Sequence, residues 1–539
     1  MNTAILRDKY DIIVAGGGIT GAGIFCMAAQ MGLDVLMVEA RDFAWGTSSR
    51  SSKMVHGGLR YLKQGRFMMT RTSVRQRQYL LKQYPGLISP LEFIMPVFDD
   101  RGPGMISMRA GLLIYSFMAG EKQHEILGRA GTIQKIPGVR KDHLAGSAGF
   151  KDAQVDDARL VLRLIEEGCA MGGHAVNYSE LVSIERDNTG RVRAAVVQDA
   201  DSRQCCEIKT KVLINAAGVQ AEKLHPCPVK GFHIRPLRGS HLIFPSDVFP
   251  LDMAVSFIHP EDARPVFLFP WEGMLVLGTT DVDHGNDIEQ EPVISAGEAD
   301  YLMQGLDYIF PGSGITQDQC ISSIAGIRPV MSRKNISASK ESREHVVWED
   351  KGLVTVTGGK LTTFRVLARD ALKAAGPYLP FHGKNICYER PEPLSCIVKN
   401  IQGLGIPDKA AERIAGRYGS AAERLILKSG PDAAVPVENT STLWAEIVYG
   451  AACENIRHLS DLLLRRVRIG LFFEDGGAHL LDRVQELCRS CLPWDEDKWE
   501  QEKTEYMKLW NRCYLPPGRQ KQWHRSEKHR RTGISGEEI

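Results

Sequence analysis

The stretch Tyr10–Glu39, YDIIVAGGGITGAGIFCMAAQMGLDVLMVE, restricts the fold of this chain more than any other stretch. In order, it contains a short apolar run (residues 11–15), three glycines (Gly16, Gly18 and Gly21), a helical pattern (22–31) and a second apolar run (35–38). Apolar runs of this length are typical of buried parallel strands, and the glycines give the pattern G-x-G-x-x-G between strand and helix. The stretch therefore predicts a βαβ unit.

Each glycine of this loop has a structural role. The first allows a tight turn, the second lets the backbone approach a pyrophosphate, and the third lets helix and strand pack closely. The phosphates then lie at a helix N-terminus, where free N–H groups and the helix dipole favour negative charge. Glu39 is placed to bind ribose hydroxyls, as an acid does for FAD or NAD but not for a 2′-phosphate. A glycine loop can also serve packing alone, but the strand, the helix and the acid in register favour a dinucleotide.

Composition narrows the class of protein. The 539 residues are enough for roughly three or four domain-sized units. The formal net charge is only +2, so nucleic acid is not an expected partner, and phosphate binding must come from a local arginine cluster. Twelve scattered cysteines without a secretory signal are typical of reduced thiols in a cytoplasmic chain. The lone C-x-x-C at Cys488 and Cys491 lacks a second such pair, so no metal site is expected.

A second unusual stretch is GTSSRSSKMVHGGLRYL, residues 46–62. Its small hydroxyl-bearing residues are suited to wrapping the ribityl chain and pyrophosphate of a flavin, although single serines of such a run also occur in ordinary loops. Lys53, His56 and Tyr61 add hydrogen-bonding groups beside the same cofactor. Arg50 lies among the serines, whereas Arg60 follows the double glycine, so Arg60 is the arginine expected to contact a substrate.

Later segments predict a second sheet, and two of them predict further strands close to the cofactor. VLINAAG (212–218) predicts a buried strand that ends in small residues close to a ligand. Residues 239–283 are rich in β-branched and aromatic residues, and they predict a sheet that covers the cofactor and carries substrate contacts. LVTVTGGKLTTFRVLARDAL (353–372) predicts a strand, a double glycine and a helix whose N-terminus points at an anion.

The remaining regions are less specific. Residues 66–150 predict helices and proline-bounded loops. Within them, GMISMRAGLLIYSFM (104–118) is either a buried helix or an amphipathic surface segment that docks on a bilayer, where nearby arginines would suit anionic lipid. No stretch reaches the ~18 apolar residues of a membrane span. From about residue 388 helix formers dominate, and the basic tail from 518 has too little apolar surface to fold.

Seven blocks, taken in their order and spacing, carry a family resemblance over nearly the whole chain. They are GGGITGAGI (16–24), TSSRSSKMVHGGLRYL (47–62), VDDARLVL (155–162), RGSH (238–241), GTTDVD (278–283), GIRP (326–329) and GGKLTTFR (358–365). The chain resembles FAD-dependent glycerol-3-phosphate dehydrogenases, in particular the single-chain respiratory type of bacteria. It departs from that pattern where Met27 and Met31 replace an acid and an arginine on one helix face, and where Phe364 replaces a tyrosine.

The resemblance implies an α/β protein with three parts. The first is a discontinuous Rossmann-like FAD-binding domain of the glutathione-reductase-like type, from segments of about 1–65, 150–230 and 325–387. The second is a mixed β-sheet substrate domain from about 66–149 and 231–324, so that the two share residues 1–387. An all-helical C-terminal domain (388–517) and a disordered basic tail (518–539) follow.

The same resemblance implies a reaction and its partners. The expected reaction oxidises sn-glycerol 3-phosphate to dihydroxyacetone phosphate by hydride transfer to FAD, with a quinone as electron acceptor. The expected location is the cytoplasmic face of the inner membrane, as a peripheral protein, and a homodimer is one assembly that the resemblance allows. Two alternatives are a flavin oxidase or dehydrogenase for an amino acid or 2-hydroxy acid, and a flavin-binding interaction protein without turnover.

Matched positions supply the expected site. The cofactor contacts are Gly16, Gly17, Gly18, Thr20, Gly21, Glu39, Ala40, Thr47, Ser48, Ser49, Lys53, His56, Gly57, Leu181, Ala217, Gly218, Gly358, Gly359, Lys360, Leu361 and Thr362. The substrate contacts are Arg60, Tyr61, Arg343 and Thr363, and the catalytic residues are His241, Arg328 and Lys360. Arginines are expected around the phosphate because a planar guanidinium donates two parallel hydrogen bonds. His241 is the expected base because imidazole titrates near neutral pH, with His56, Lys360 and Arg328 as rivals.

Overall fold

The computed structural model describes residues 6–63, 65–120, 124–225, 233–332, 345–379, 394–430 and 433–519. The strands in these ranges are β1 (Lys9–Ala15), β2 (Val35–Val38), β3 (Met54–Val55), β4 (Ile88–Phe98), β5 (His124–Gly128), β6 (Leu144–Val155), β7 (His174–Val176), β8 (Ser179–Arg186), β9 (Val192–Asp199), β10 (Cys205–Asn215), β11 (His233–Pro245), β12 (Ala254–Ile258), β13 (Pro265–Trp271), β14 (Met274–Gly278), β15 (Val282–Asp283), β16 (Ser322–Ser332), β17 (Val346–Asp350) and β18 (Leu353–Thr357). The helices are α1 (Ile19–Gln30), α2 (Leu59–Lys63), α3 (Phe67–Gln83), α4 (Met105–Ala119), α5 (Arg129–Lys135), α6 (Asp157–Ala170), α7 (Ala296–Ile309), α8 (Phe364–Ala375), α9 (Leu394–Gly403), α10 (Asp408–Tyr418), α11 (Ala422–Ser429), α12 (Trp444–Cys453), α13 (Leu459–Asp461), α14 (Leu481–Cys488) and α15 (Glu496–Cys513).

The first sheet has a parallel centre in the order β18-β10-β1-β2-β7. Its middle strand β1 is apolar because it is covered on both faces, and Ile12, Ile13 and Val14 are fully buried. Antiparallel β17 lies at one edge, and the β8–β9 hairpin extends the start of β10. Because β1, β10 and β18 come from distant parts of the chain, this sheet is assembled from separated segments.

The second sheet is mixed and has the order β15-β11-β14-β13-β12-β4-β6-β3, with β16 paired to β11 and β5 to β6. Its longest antiparallel pair is β11 with β16, which runs in register from His233 opposite Ser332 to Ile243 opposite Ser322. This pair carries His241 on one strand and Arg328 on the other. The sheet therefore brings the RGSH and GIRP blocks together.

The C-terminal helices pack into the body of the protein rather than standing apart from it. One hydrophobic core joins Leu463 and Trp510 of this region to Ile243, Trp271 and Ile324 of the second sheet. Buried ion pairs also cross the boundary, and Arg466 with Asp42 is one example. The region is helical, as expected, but it shares its core with the second sheet.

The predicted fold class is confirmed, and two regional expectations need correction. Residues 66–150 contain β4, β5 and β6 in addition to helices. The sequence of β6, LAGSAGFKDAQV, has few β-formers, so its strand depends on pairing with β4 rather than on local preference. The interpretation of residues 104–118 as a buried helix is wrong, because Ile106 and Phe117 of α4 are each 87% exposed. The predicted disordered tail lies outside the described residues from position 520 onward.

Candidate active site

A cavity of about 1440 Å³ lies where the carboxyl ends of the parallel strands meet the second sheet. Ligands of open α/β sheets bind at this edge, and ordinary ligand pockets have volumes of roughly 300–1,000 Å³. The cavity therefore has room for a dinucleotide together with a small substrate. Eighteen of the predicted site residues line it: Gly16, Gly18, Thr20, Glu39, Ala40, Thr47, Ser48, His56, Tyr61, Leu181, Ala217, Gly218, Arg328, Gly358, Gly359, Lys360, Leu361 and Thr362.

Other predicted residues lie in the described structure but do not line the cavity. They are Gly17, Gly21, Ser49, Lys53, Gly57, His241 and Thr363. Arg343 lies outside the described residues. The backbone of Arg60 belongs to α2. The contact of its guanidinium with a substrate stays a prediction.

The glycine loop is closely packed, as a phosphate-binding turn requires. Gly16 has a φ of +113°, a conformation that side chains disfavour, and a Cβ atom there would lie 2.5 Å from the carbonyl oxygen of Ala216. A Cβ atom on Gly21 would lie 1.8 Å from the carbonyl oxygen of Gly16. The loop can therefore form only with glycine at these positions, and it leads directly into the N-terminus of α1.

Glu39 closes the loop from the end of β2. Its carboxylate accepts hydrogen bonds from the backbone N–H groups of Gly17 (2.6 Å) and Arg41 (2.8 Å). Burial raises the pKa of Glu39 above its usual value, while these two N–H groups act in the opposite direction. An acceptor-rich carboxylate at the cavity wall is what the ribose hydroxyls of FAD require.

The serine-rich stretch forms the adjoining wall. The hydroxyl of Ser48 accepts a hydrogen bond from the N–H of Ile19 at 2.9 Å, so this stretch is fixed to the first turn of α1. Thr47 donates a hydrogen bond to the carbonyl of Ile327 in β16, which connects the wall to the second sheet. The stretch that could hold the ribityl chain and the pyrophosphate is thus bonded both to α1 and to the second sheet.

The GGK block follows β18 and places Lys360 at the cavity. The ammonium of Lys360 lies 3.5 Å from the centre of the Tyr61 ring, a cation–π contact that joins the GGK and GGLRY blocks. Thr362 accepts a hydrogen bond from the N–H of His56 at 3.1 Å. Thr363 contacts the carbonyl of Lys360 and precedes α8, so its hydroxyl serves the turn.

Arg328 is a cavity-lining cation held in a fixed orientation. Its guanidinium donates hydrogen bonds to Asp281 (2.9 Å) and to the hydroxyl of Thr279 (2.7 Å). A Cβ atom on Gly239 would lie 2.1 Å from the Arg328 Nη2 atom, so the glycine of RGSH makes room for this side chain. Asp281 and Thr279 also line the cavity.

His241 is buried and contacts the cavity wall through a serine. Its Nε2 atom lies 2.9 Å from the hydroxyl oxygen of Ser52, which lines the cavity. Burial, with the positive charges of Arg328 and Lys53, lowers the pKa of His241 well below 6.5. The imidazole is therefore neutral at neutral pH.

Lys53 faces away from the cavity. Its ammonium donates hydrogen bonds to Asp157 (2.9 Å) and to the carbonyl of Ser49 (3.2 Å), and it lies over the ring of Trp271. Burial lowers the pKa of Lys53 to about 8, and the nearby charge of Arg468 acts in the same direction. In this structure its contacts are with protein groups that shape the serine-rich stretch.

Several cavity residues were absent from the sequence prediction. Among them are Trp45, Ser52, Arg264, Thr279 and Asp281. Thr279 and Asp281 lie in the matched GTTDVD block, which was a usable signal, because they hold the arginine of GIRP. Arg264 had no such signal, since it lies in no matched block and its guanidinium donates to the carbonyl of Asp281, 17 residues away.

The residues present fit FAD. The tight glycine loop, the acid after β2, the hydroxyl-rich wall and a cavity larger than one small molecule requires form the donor and acceptor set of a flavin dinucleotide. Bound FAD would be held by the Gly16–Gly21 loop, by Glu39 and by the serine-rich stretch.

Comparisons with known proteins identify the family. The pattern of the FAD dependent oxidoreductase family matches residues 11–369, and that of the C-terminal domain of alpha-glycerophosphate oxidase matches residues 383–499. The chain is 32% identical over 543 residues to the aerobic glycerol-3-phosphate dehydrogenase of Bacillus subtilis (strain 168), covering 96% of this chain and 97% of the relative. The chain belongs to the FAD-dependent glycerol-3-phosphate dehydrogenase family. A second relative, from Staphylococcus haemolyticus, is 32% identical and covers 85% of this chain and 87% of its own.

Solved structures of relatives agree with this family assignment. A glycerol-3-phosphate dehydrogenase from Bacillus halodurans complexed with FAD superposes with a TM-score of 0.74 at 26% identity, covering 94% of this chain and 96% of that one. The L-alpha-glycerophosphate oxidase of Mycoplasma pneumoniae, with FAD bound, gives a TM-score of 0.56 at 19% identity over 72% of this chain and all of that one, which shows a shared fold. FAD is therefore the cofactor of this member of the glycerol-3-phosphate dehydrogenase family, and the protein is an FAD-dependent oxidoreductase.

Proposed function

We propose that the protein oxidises sn-glycerol 3-phosphate to dihydroxyacetone phosphate and delivers the electrons to a quinone at a membrane surface. The family assignment supports the substrate, because the relatives are named for it. The observation that carries the proposal is the oriented guanidinium of Arg328 in the wall of a cavity built for FAD.

The substrate phosphate carries a charge of roughly −2, so it needs fixed donors and positive charge. Arg328 provides both, because Asp281 and Thr279 hold its fork in place before substrate arrives. Arg60 and Arg343 are the proposed further phosphate ligands, and Tyr61, which lines the cavity, is the proposed contact to the rest of the molecule. Lys360 adds a second cation to the same cavity.

The alcohol proton needs an acceptor. His241 is neutral at neutral pH, and its Nε2 atom reaches the cavity wall through the hydroxyl of Ser52. In this proposal Ser52 accepts the proton from the C2 hydroxyl while giving its own to His241. The relay requires the His241 tautomer that carries its proton on Nδ1.

FAD supplies the redox chemistry when bound, since it takes up the hydride that leaves C2. Around it, Lys360 supplies positive charge, and Leu361 and Thr362 of the turn that precedes α8 line the cavity.

An apolar surface next to the cavity supports a membrane-bound acceptor. The exposed apolar side chains are Phe67 and Met68 of α3 and Ile106, Leu113, Ile114 and Phe117 of α4. We name these six residues the α3–α4 patch. Phe67 and Ile114 also line the cavity, so the patch is continuous with it. Exposed arginines at positions 71, 75 and 109 would suit anionic lipid headgroups.

The described ranges contain no helix of the length and apolarity needed to cross a bilayer. Attachment through the α3–α4 patch would therefore be peripheral, with the quinone entering from the lipid beside the cavity.

A turnover assay tests the substrate and the acceptor together. FAD-loaded protein is mixed with a short-chain quinone analogue and sn-glycerol 3-phosphate, and dihydroxyacetone phosphate and reduced quinone are measured. We expect both products in equal amounts, and little reaction with glycerol, an amino acid or a 2-hydroxy acid. Turnover of an amino acid or a hydroxy acid in place of the phosphorylated alcohol would contradict the proposal.

A further inference from the structure

One loop supplies much of the cavity wall but has little regular structure of its own. We name residues 39–53 the cofactor loop. Its regular structure amounts to one short turn, Thr47–Ser49. It supplies Glu39, Ala40, Arg41, Trp45, Gly46, Thr47, Ser48, Arg50, Ser51 and Ser52 to the cavity. A loop of this kind must be held in shape by contacts from outside it.

Several buried contacts of this kind come from one short segment of the C-terminal helices, residues 462–468, which we name the arginine segment. It contains the sequence LLLRRVR, and Arg465, Arg466 and Arg468 are all buried. Residues Leu462–Arg466 form a π-helical turn, a feature that often marks functional positions. Here the turn lets two consecutive arginines bond the same carboxylate.

That carboxylate is Asp42, three residues after Glu39. Arg466 donates two hydrogen bonds to it, from Nη1 at 2.6 Å and from Nη2 at 2.7 Å, and Arg465 donates a third. Asn177 donates a fourth at 3.0 Å. The charge of Arg465 is balanced further by Asp461, so that two cations face two carboxylates in a fully buried cluster.

Arg468 holds the other end of the cofactor loop. It donates a hydrogen bond to the carbonyl of Ser49 at 2.8 Å and another to Asp157. Asp157 in turn accepts the N–H and the hydroxyl of Ser51, at 2.9 and 2.7 Å. Arg468 has a φ of +65°, a conformation that a non-glycine residue keeps only where its surroundings require it.

We propose that Arg465, Arg466 and Arg468 are positioning residues that hold the cofactor loop in the shape that binds FAD. They act through Asp42, Ser49 and Asp157 rather than by contact with the cofactor. Buried ion pairs are often replaceable by apolar residues without loss of stability. We therefore expect these ion pairs to contribute to the shape of the loop more than to its stability. They fix the positions of the Asp42 carboxylate and the Ser49 carbonyl in the loop that forms the cavity wall. The inference depends on FAD and not on the identity of the substrate.

The test measures FAD affinity in the full-length chain. The cofactor is removed, and the dissociation constant is determined from the quenching of FAD fluorescence. Arg466→Lys keeps the charge but loses the two-pronged contact with Asp42, so we expect the dissociation constant to rise about tenfold or more. Asn177→Ala removes one neutral hydrogen bond to Asp42, so we expect a rise of about threefold to tenfold.

Arg413→Lys is the matched control. Arg413 pairs with the buried Glu446 in the same helical region, and its hydrogen-bond and ion-pair partners are outside the cofactor loop. We expect this variant to bind FAD as the parent does. The thermal midpoint of the FAD-free chain is measured alongside, because a merely structural role would lower it without changing affinity.

An unchanged dissociation constant in Arg466→Lys would overturn the proposal, as would an equal rise in Arg413→Lys. If Arg466→Lys does not fold, Asn177→Ala decides: weaker FAD binding supports the proposal, and unchanged binding overturns it.

Discussion

The imidazole Nε2 of His241 lies 2.9 Å from the hydroxyl oxygen of Ser52. His241 itself is only 1% exposed, whereas Ser52 lines the cavity, so the serine lies between the histidine and the cavity. A buried base that acts through a hydroxyl can remain neutral in a site rich in positive charge. This arrangement assigns a role to a residue, Ser52, that sequence reasoning did not single out.

The first prediction concerns this relay. Ser52→Ala and His241→Asn should each slow flavin reduction by roughly 10²–10⁴-fold, the usual range for loss of acid–base catalysis. The double variant should be little slower than either single variant, because both remove the same relay. Stopped-flow absorbance under anaerobic conditions measures the rate constant. Ser240→Ala serves for comparison, since the Ser240 hydroxyl donates to Glu298 and does not line the cavity, and an equal loss there would argue against the relay.

The pH dependence of the same step follows from the pKa of His241, which burial lowers well below 6.5. A group with a lowered pKa stays neutral until the pH falls toward that lower value. The rate constant of flavin reduction should therefore be nearly constant above pH 6.5 and should decrease only in more acidic solution. A steep increase between pH 7 and pH 9 would indicate a different base.

The second prediction concerns Arg328. Replacement by Gln should raise the KM for the phosphorylated substrate by roughly 10- to 100-fold, because a charged hydrogen bond contributes about 1.5–3 kcal/mol. FAD content should not change, since Arg328 is bonded to Asp281 and Thr279, which lie in the connection between β14 and β15 and outside the glycine loop and the serine-rich stretch. Steady-state kinetics and the flavin-to-protein ratio check both parts. Arg238→Gln is the control, because Arg238 pairs with Glu298 and does not line the cavity. A normal KM in Arg328→Gln would remove this residue from the phosphate site.

The sequence predicted those parts of the site that depend on neighbouring residues. The strand, glycine loop and acid of Tyr10–Glu39 are a local pattern, and Glu39 does lie at the cavity wall. The GGK block likewise places Lys360 at the cavity because strand, double glycine and helix follow one another directly.

Other parts could not be predicted because they join distant positions. Asp42 and Arg466 are 424 residues apart, and no local pattern indicates that they pair. The cavity contact of His241 depends in the same way on Ser52, 189 residues away. Met27 and Met31 stand where the family pattern has an acid and an arginine. Both methionine side chains pack into the apolar core around α1, which explains why no charged pair is needed there. Phe364 is buried against Gly23 of α1 and does not line the cavity.

The third prediction concerns stability and Lys53. Its pKa is about 8 in the folded protein against 10.5 for an ordinary lysine. Between pH 8 and pH 10.5, Lys53 is protonated in the unfolded chain but neutral in the folded protein. The contribution of Lys53 to the free energy of unfolding therefore increases as the pH rises through this range. Relative to Lys53→Met, the parent should gain on the order of 3 kcal/mol of unfolding free energy across that range. Denaturant titrations at several pH values measure the difference, and a gap that does not vary with pH would contradict the assigned shift.

The fourth prediction concerns the α3–α4 patch. Ile106→Ser combined with Phe117→Ser should reduce binding to anionic lipid vesicles by roughly 100-fold or more, because burying each side chain contributes about 1.5–3 kcal/mol. Vesicle co-sedimentation measures the partition. Leu427→Ser is the matched control, since Leu427 is 61% exposed on α11, outside the patch. Equal losses in the control, or undiminished binding of the double variant, would place membrane contact elsewhere.

The central claim is that FAD in this cavity is reduced by a small phosphorylated alcohol. Anaerobic addition of sn-glycerol 3-phosphate to the FAD-loaded protein, followed by flavin absorbance, tests it most directly. We predict complete bleaching of the oxidised flavin band by one equivalent or a small excess of the substrate, with no bleaching by glycerol. Flavin that stays oxidised with sn-glycerol 3-phosphate but is bleached by an amino acid or a 2-hydroxy acid would contradict the account.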